Sequence, residues 1–172
     1  MSSETPDRDI LPVNVSPVHY DLTIEPNFET FKFDGTVEID LKVNDATVPT
    51  VKLNTLDIDI HSAAIDDVTA TEITFDKDEQ TTTFLFPEGT LKDEVTLAIK
   101  FTGVLNDNMA GFYRAKYTDK KTGKTKYMAT TQMEPTDARR AFPCFDEPNL
   151  KATFAINLIS DPSLTHLSNM DV

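Results

Sequence analysis

Hydrophobic and polar residues alternate along most of this chain. Tyr20, Leu22 and Ile24 fall on one face of an extended segment, and Asp21, Thr23 and Glu25 fall on the other. The next segment is the clearest: Phe31, Phe33, Val37, Ile39, Leu41 and Val43 interleave with Lys32, Asp34, Thr36, Glu38, Asp40 and Lys42. A period of two sustained over thirteen residues predicts a half-buried antiparallel strand, because successive side chains in a strand point to opposite faces. The pattern continues at Leu56, Ile58 and Ile60, then at Ile73 and Phe75, and a charged turn (DKDEQ) leads into TTTFLFP. Val95, Leu97, Ile99 and Phe101 alternate with Thr96, Ala98, Lys100 and Thr102. The segment GFYRAKYTDKKTGKTKYMATT predicts a hairpin with TDKKTGK at its tip, where Gly123 can take a positive φ. A last strand, ATFAINLIS, is carried by Phe154, Ile156 and Leu158. Eight or more strands and no amphipathic helix of useful length predict an all-β fold, with antiparallel sheets packed or curved against one another.

Composition narrows this picture. A length of 172 residues suits one domain, and eleven Phe with four Tyr can build its core although only 39% of the residues are hydrophobic. Residues 1–12 read as a flexible leader and 13–172 as the β domain. The net charge of −13 argues against nucleic acid and against an anionic membrane surface, since both need a basic footprint. No apolar run approaches membrane-spanning length, and the acidic start MSSETPDRD does not resemble a secretory signal. A single cysteine, Cys144, cannot make an intramolecular disulfide and fits a reducing compartment. The expected location is cytoplasmic. The chain stops just after a strand, at LSNMDV, with no terminal cap or helix, which reads as a sequence cut in mid-pattern.

Most familiar catalytic patterns are missing. There is no HExxH, no GxSxG and no glycine-rich phosphate loop, and His19, His61 and His166 are far apart. Each histidine reads as an ordinary strand-end or surface residue, and no metal site is expected. Cys144 lies between Pro143 and Phe145 with no histidine nearby to lower its pKa, so it reads as a small buried hydrophobe.

One stretch stands apart: TQMEPTDARRAFPCFDEPNL, residues 131–150. Its first part alternates like a strand, so Gln132 and Glu134 are expected on the same side. Their carboxylate and carboxamide either grip an ammonium group, through charge and a second N–H acceptor, or simply make one more polar strand face. Pro135 ends the strand. Thr136 or Asp137 then offers an N-cap for a short helical turn that Pro143 stops. Arg139 and Arg140 are expected to pair with Asp146 and Glu147, and Phe142 and Phe145 to anchor the turn on a core or a neighbouring domain.

The segment TQMEPTDARRAFPCFDEPNLKATF closely resembles a signature of the zinc aminopeptidases of the aminopeptidase N and puromycin-sensitive aminopeptidase family. PVHYDLTIEP, MAGFYRAKY and HLSNM agree with it in order, and the similarity is strongest to fungal cytosolic members. The resemblance implies a saddle-shaped β-sandwich that packs on a thermolysin-like catalytic domain further along the chain. It implies that Gln132 and Glu134 bind the free α-ammonium at a peptide N-terminus, with Met133 near the pocket for the first side chain. It also implies that zinc, its HExxH-(x18)-E ligands, the G-A-M-E-N segment and a transition-state tyrosine all lie beyond residue 172, so no catalytic residue is expected in this chain. A contrasting expectation is a free-standing β-sandwich interaction module. Parted from its neighbour, such a domain is further expected to leave Phe142, Phe145 and strand edges near Leu158 partly exposed and to self-associate.

Overall fold

The computed structural model of the protein describes residues 10–170. It contains eleven strands: β1 (Val15–Asn27), β2 (Lys32–Val43), β3 (Thr50–Asn54), β4 (Ile58–Ile65), β5 (Val68–Thr69), β6 (Glu72–Asp76), β7 (Thr81–Leu85), β8 (Glu94–Val104), β9 (Gly111–Thr118), β10 (Thr125–Gln132) and β11 (Thr153–Leu158). Among the described residues the one helical element is a 3₁₀ turn, Ala138–Arg140. The chain is all-β, as the alternation requires.

Three sheets share these strands. Six pair in the order β11-β1-β2-β8-β4-β5, three in the order β3-β7-β6, and β9 with β10 forms a separate hairpin. In β2 the alternation is realised without a break, with Phe33, Val37, Ile39 and Leu41 buried between exposed Lys32, Asp34, Thr36, Glu38, Asp40 and Lys42. The inward residues of the six-stranded sheet (Leu22, Val37, Leu97) and of the three-stranded sheet (Val51, Leu53, Phe84) belong to a single core cluster, so the two sheets form the layers of a sandwich. Each such buried side chain contributes about 1.5–3 kcal/mol relative to exposure.

Two strands depart from the expected pattern, both for reasons of position. β11 pairs with β1 in parallel, His19 opposite Thr153 through Ile24 opposite Leu158. The long excursion of residues 133–152 returns the chain to the end where β1 starts, so β11 runs in the same direction and the sheet is mixed rather than antiparallel throughout. Phe154 and Ile156 face the core side, beside Tyr20 and Leu22, yet remain 51% and 45% exposed because β11 is an edge strand beyond the reach of the second layer. Ile73 and Phe75 on the edge strand β6 are exposed for the same reason.

Within the expected leader, Leu11 is held against the domain. Its side chain is buried, and its amide donates to Glu147 Oε1 at 2.5 Å. Residues 1–9 of that leader lie outside the described residues.

Candidate functional site

The stretch around Gln132 begins on the β9–β10 hairpin. Asp119 opens the tip by accepting the amides of Lys121 and Thr122 and pairing with Lys126 at 2.6 Å. Gly123 takes φ +66, the left-handed conformation expected for it. β10 then runs to Gln132, which stands opposite Gly111 at the start of β9.

The strand ends two residues earlier than the alternation suggested. Glu134 sits in the turn after β10, not on the strand, and the Glu134–Pro135 peptide is cis. The alternation of side-chain burial nevertheless survives: Gln132 and Glu134 are both exposed, and Met133 between them packs inward against the core. The Asp137 amide donates to the Met133 carbonyl at 2.8 Å and closes the turn. Gln132 Nε2 donates to the Glu134 carbonyl oxygen at 3.5 Å. That long bond occupies the carboxamide nitrogen, and Oε1 takes part in no hydrogen bond among the described residues. Among the described residues the Glu134 carboxylate takes part in no hydrogen bond or ion pair, whereas neighbouring Asp137 and Asp146 each hold an arginine. One negative group and one neutral acceptor thus stand together in solvent.

The turn behind them is tied down. Arg139 Nε bonds Asp146 Oδ2 at 3.0 Å with both side chains only 12% exposed, and Nη1 donates to Gln80 Oε1 at 3.2 Å. Of the two acids expected to pair with the arginines, Asp146 takes Arg139 but Glu147 takes neither; Arg140 Nε bonds Asp137 at 2.9 Å and its Nη1 bonds Asp57. Successive residues of a 3₁₀ turn project about 120° apart, so the two guanidiniums cannot share partners on one side. Glu147 takes the Leu11 amide instead. Asp137 occupies the N-cap position, but its carboxylate serves Arg140 and makes no cap hydrogen bond.

Phe142, Cys144 and Phe145 are all buried in the core cluster. The expectation that the two phenylalanines stay partly exposed is therefore corrected: Tyr20 meets Phe142 edge-on at 6.0 Å, and Phe145 lies where its amide reaches the Tyr20 hydroxyl. Asn54 and Cys144 exchange backbone hydrogen bonds of 2.8 and 3.2 Å, stitching the stretch to β3. Burial pushes the Cys144 thiol well above its ordinary pKa, with Asp146 adding to the effect and Arg139 opposing it. The thiol stays protonated and acts as packing.

The histidines do not gather. His19 bonds Thr153, His61 bonds Thr102 and His166 bonds Ser160, each through a hydroxyl. Among the described residues no group of three or more His, Cys, Asp or Glu is arranged to hold a metal ion. The donor set of these residues does not fit a zinc centre.

Sequence reasoning missed Asp57 and Gly111 as neighbours of the turn. Asp57 is one acid among many in a strand connection, and its contact with Arg140 spans 83 residues. The only available signal was the glycine of MAGFYR, next to a predicted hairpin strand.

Residues 16–172 match the Peptidase M1 N-terminal domain. The chain belongs to that family. It is 70% identical over 173 residues to Aminopeptidase 2, mitochondrial, of Saccharomyces cerevisiae, covering 99% of this chain and 18% of that protein. It is 61% identical over 168 residues to the Alanine/arginine aminopeptidase of the same yeast, covering 96% of this chain and 20% of the relative. The Puromycin-sensitive aminopeptidase of Caenorhabditis elegans is 40% identical over 167 residues, with 94% of this chain and 17% of the relative covered. The chain therefore spans less than a quarter of the length of these relatives. As an M1 N-terminal domain it contributes the β9–β10 hairpin, Gln132, Glu134 and the whole turn to the matched span.

Proposed function

We propose that this chain is the substrate-anchoring part of a zinc-dependent aminopeptidase that removes N-terminal residues from peptides. Gln132 and Glu134 hold the free α-ammonium: the carboxylate supplies the countercharge, and the Gln132 Oε1 accepts a further N–H. The observation that carries this reading is a turn held by two arginine–aspartate pairs that presents one exposed carboxylate no arginine neutralises. A structural carboxylate in so arginine-rich a turn has partners at hand; a ligand-binding one needs to be free of them. The relatives named as aminopeptidases favour the same reading.

Because the described residues do not suit zinc, the metal and the chemistry at the peptide bond are assigned to a catalytic domain further along the full-length protein. That domain is the expected partner of this one, with the peptide N-terminus as ligand and no role for nucleic acid or membrane. We place the enzyme in the cytoplasm, which suits a lone buried thiol. The relative named mitochondrial makes that organelle the comparison compartment in a fractionation experiment. Taken alone, the fragment is expected to be inactive. It is also expected to associate through the β11 edge, where Phe154 and Ile156 are exposed, giving a size-exclusion peak that shifts with concentration.

The deciding experiment is Glu134→Ala in the full-length enzyme. The expected result is a strong rise in KM with a fall in kcat, since a misplaced ammonium misplaces the scissile bond. Kinetics on aminoacyl substrates within about twofold of the parent, roughly 0.4 kcal/mol, would remove the anchor role. The rival reading, a free-standing interaction module, requires an open reading frame without HExxH downstream.

A further inference from the structure

Three parts of the chain converge on Gly111. It opens β9, stands opposite Gln132 at the end of β10, and adopts φ +69, which side chains rarely tolerate. A Cβ at this position would stand 2.5 Å from the Arg140 Cβ and 3.0 Å from the Asp137 carbonyl oxygen. Neither neighbour yields easily. Asp137 is held by its amide bond of 2.8 Å to the Met133 carbonyl, and Arg140 by its Nε bond of 2.9 Å to Asp137 together with Nη1 to Asp57. Asp57 itself takes φ +58 in the connection between β3 and β4, so the clamp reaches from the hairpin across the turn to the three-stranded sheet. The five residues that close this turn, 133–137, include Glu134.

We infer that Gly111, Arg140 and Asp57 form a positioning clamp that sets where the Glu134 carboxylate stands relative to Gln132. None of the three touches substrate in this scheme. Gly111 lets the turn lie directly on the hairpin, and Arg140 with Asp57 keeps it there. A side chain at position 111 lifts the turn and moves Glu134 with it, while Gln132, paired in the strand, stays. The spacing between the two acceptors then no longer matches one ammonium. Displacements of about 1 Å at such a distance from the chemistry can cost as much as a hundredfold in rate.

This inference rests on the ammonium-anchor reading, and the test separates the two. In the full-length enzyme, Gly111→Ala, Asp57→Asn and Glu134→Gln are made singly, and each clamp variant is also combined with Glu134→Gln. The substrate is an aminoacyl anilide. Gly111→Ala is expected to lower kcat/KM by roughly tenfold or more and Asp57→Asn by roughly threefold, chiefly through KM. In the Glu134→Gln background each is expected to cost less than about twofold, because a residue that acts through Glu134 has nothing left to position. Losses that multiply undiminished on top of Glu134→Gln overturn the clamp and mark it as merely structural. So do clamp variants within about twofold of the parent while Glu134→Gln is impaired. If Glu134→Gln is itself unimpaired, the anchor reading fails and the clamp with it. Asp57 has a side chain 61% exposed, so Asp57→Asn carries the test should Gly111→Ala not fold.

Discussion

The phenolic oxygen of Tyr20 accepts the amide N–H of Phe145 at 3.2 Å, joining β1 to a turn 125 residues further along the chain. The ring lies edge-on to Phe142 and stacks on Phe154 at 4.6 Å, so one side chain holds strand, turn and edge strand together. Burial raises the hydroxyl far above its ordinary pKa, and it stays protonated at any physiological pH. Tyr20→Phe keeps the rings in place and leaves the Phe145 amide without its acceptor. The expected loss is about 1–3 kcal/mol, read as a lower urea midpoint at unchanged slope. An unchanged midpoint would show that the bond contributes nothing.

Gly103 on β8 stands opposite Phe33 on β2, and a Cβ there would lie 2.1 Å from the Phe33 ring. The next inward pair repeats this with the roles exchanged, Gly35 beneath the Phe101 ring at 2.3 Å. Two glycines thus make room for two rings whose centroids are 6.4 Å apart, edge to face. Gly103→Ala should cost about 1–3 kcal/mol from overpacking, more than the roughly 0.4–1 kcal/mol alanine gains through the unfolded chain. A melting temperature equal to or above that of the parent chain would contradict this.

At the hairpin tip, Asp119 is lowered from 3.8 to about 2, first by its bond to Lys126 and then by the amides of Lys121 and Thr122. The folded value lies below the unfolded one, so this contribution is complete above the unfolded pKa and is lost as pH falls through the folded one. The tip is therefore expected to loosen between pH 3.8 and about 2. An NMR titration of the Asp119 carboxyl should give a midpoint near 2, and Lys126→Ala should raise it. A native midpoint at the ordinary value would refute the pairing.

Cys144 is predicted to be inert in the folded chain. Buried, and with its thiol held protonated, it should react with a thiol probe at neutral pH only when the chain unfolds, since the thiolate is the reactive form. Rapid stoichiometric labelling of the native chain would show a more open turn than described.

The resemblance read in TQMEP…DEPNL corresponds to membership of the M1 N-terminal family, and most of the strands read from alternation correspond to strands observed, while β3 and β5 were not read. That success has a local cause. In a strand, neighbouring side chains face opposite ways, so a sheet with one dry face writes its period directly into the residue order. β2 and β8 were legible for that reason, and so was the hairpin, where a glycine at the tip states its own conformation.

What the order of residues left undecided was every contact between distant segments. Nothing in the sequence distinguishes Asp57 from other surface acids, or says that Arg140 turns to it while Arg139 takes Asp146. Nor does Phe154 show that its strand runs parallel to β1 at an edge, where half its ring stays in solvent. Alternation by itself determined that this chain forms sheets, and which face of strands such as β2 and β8 turns inward. Only the tertiary structure decided which strands become edges and which arginine meets which acid, because those depend on how the layers close in space and not on the neighbours along the chain.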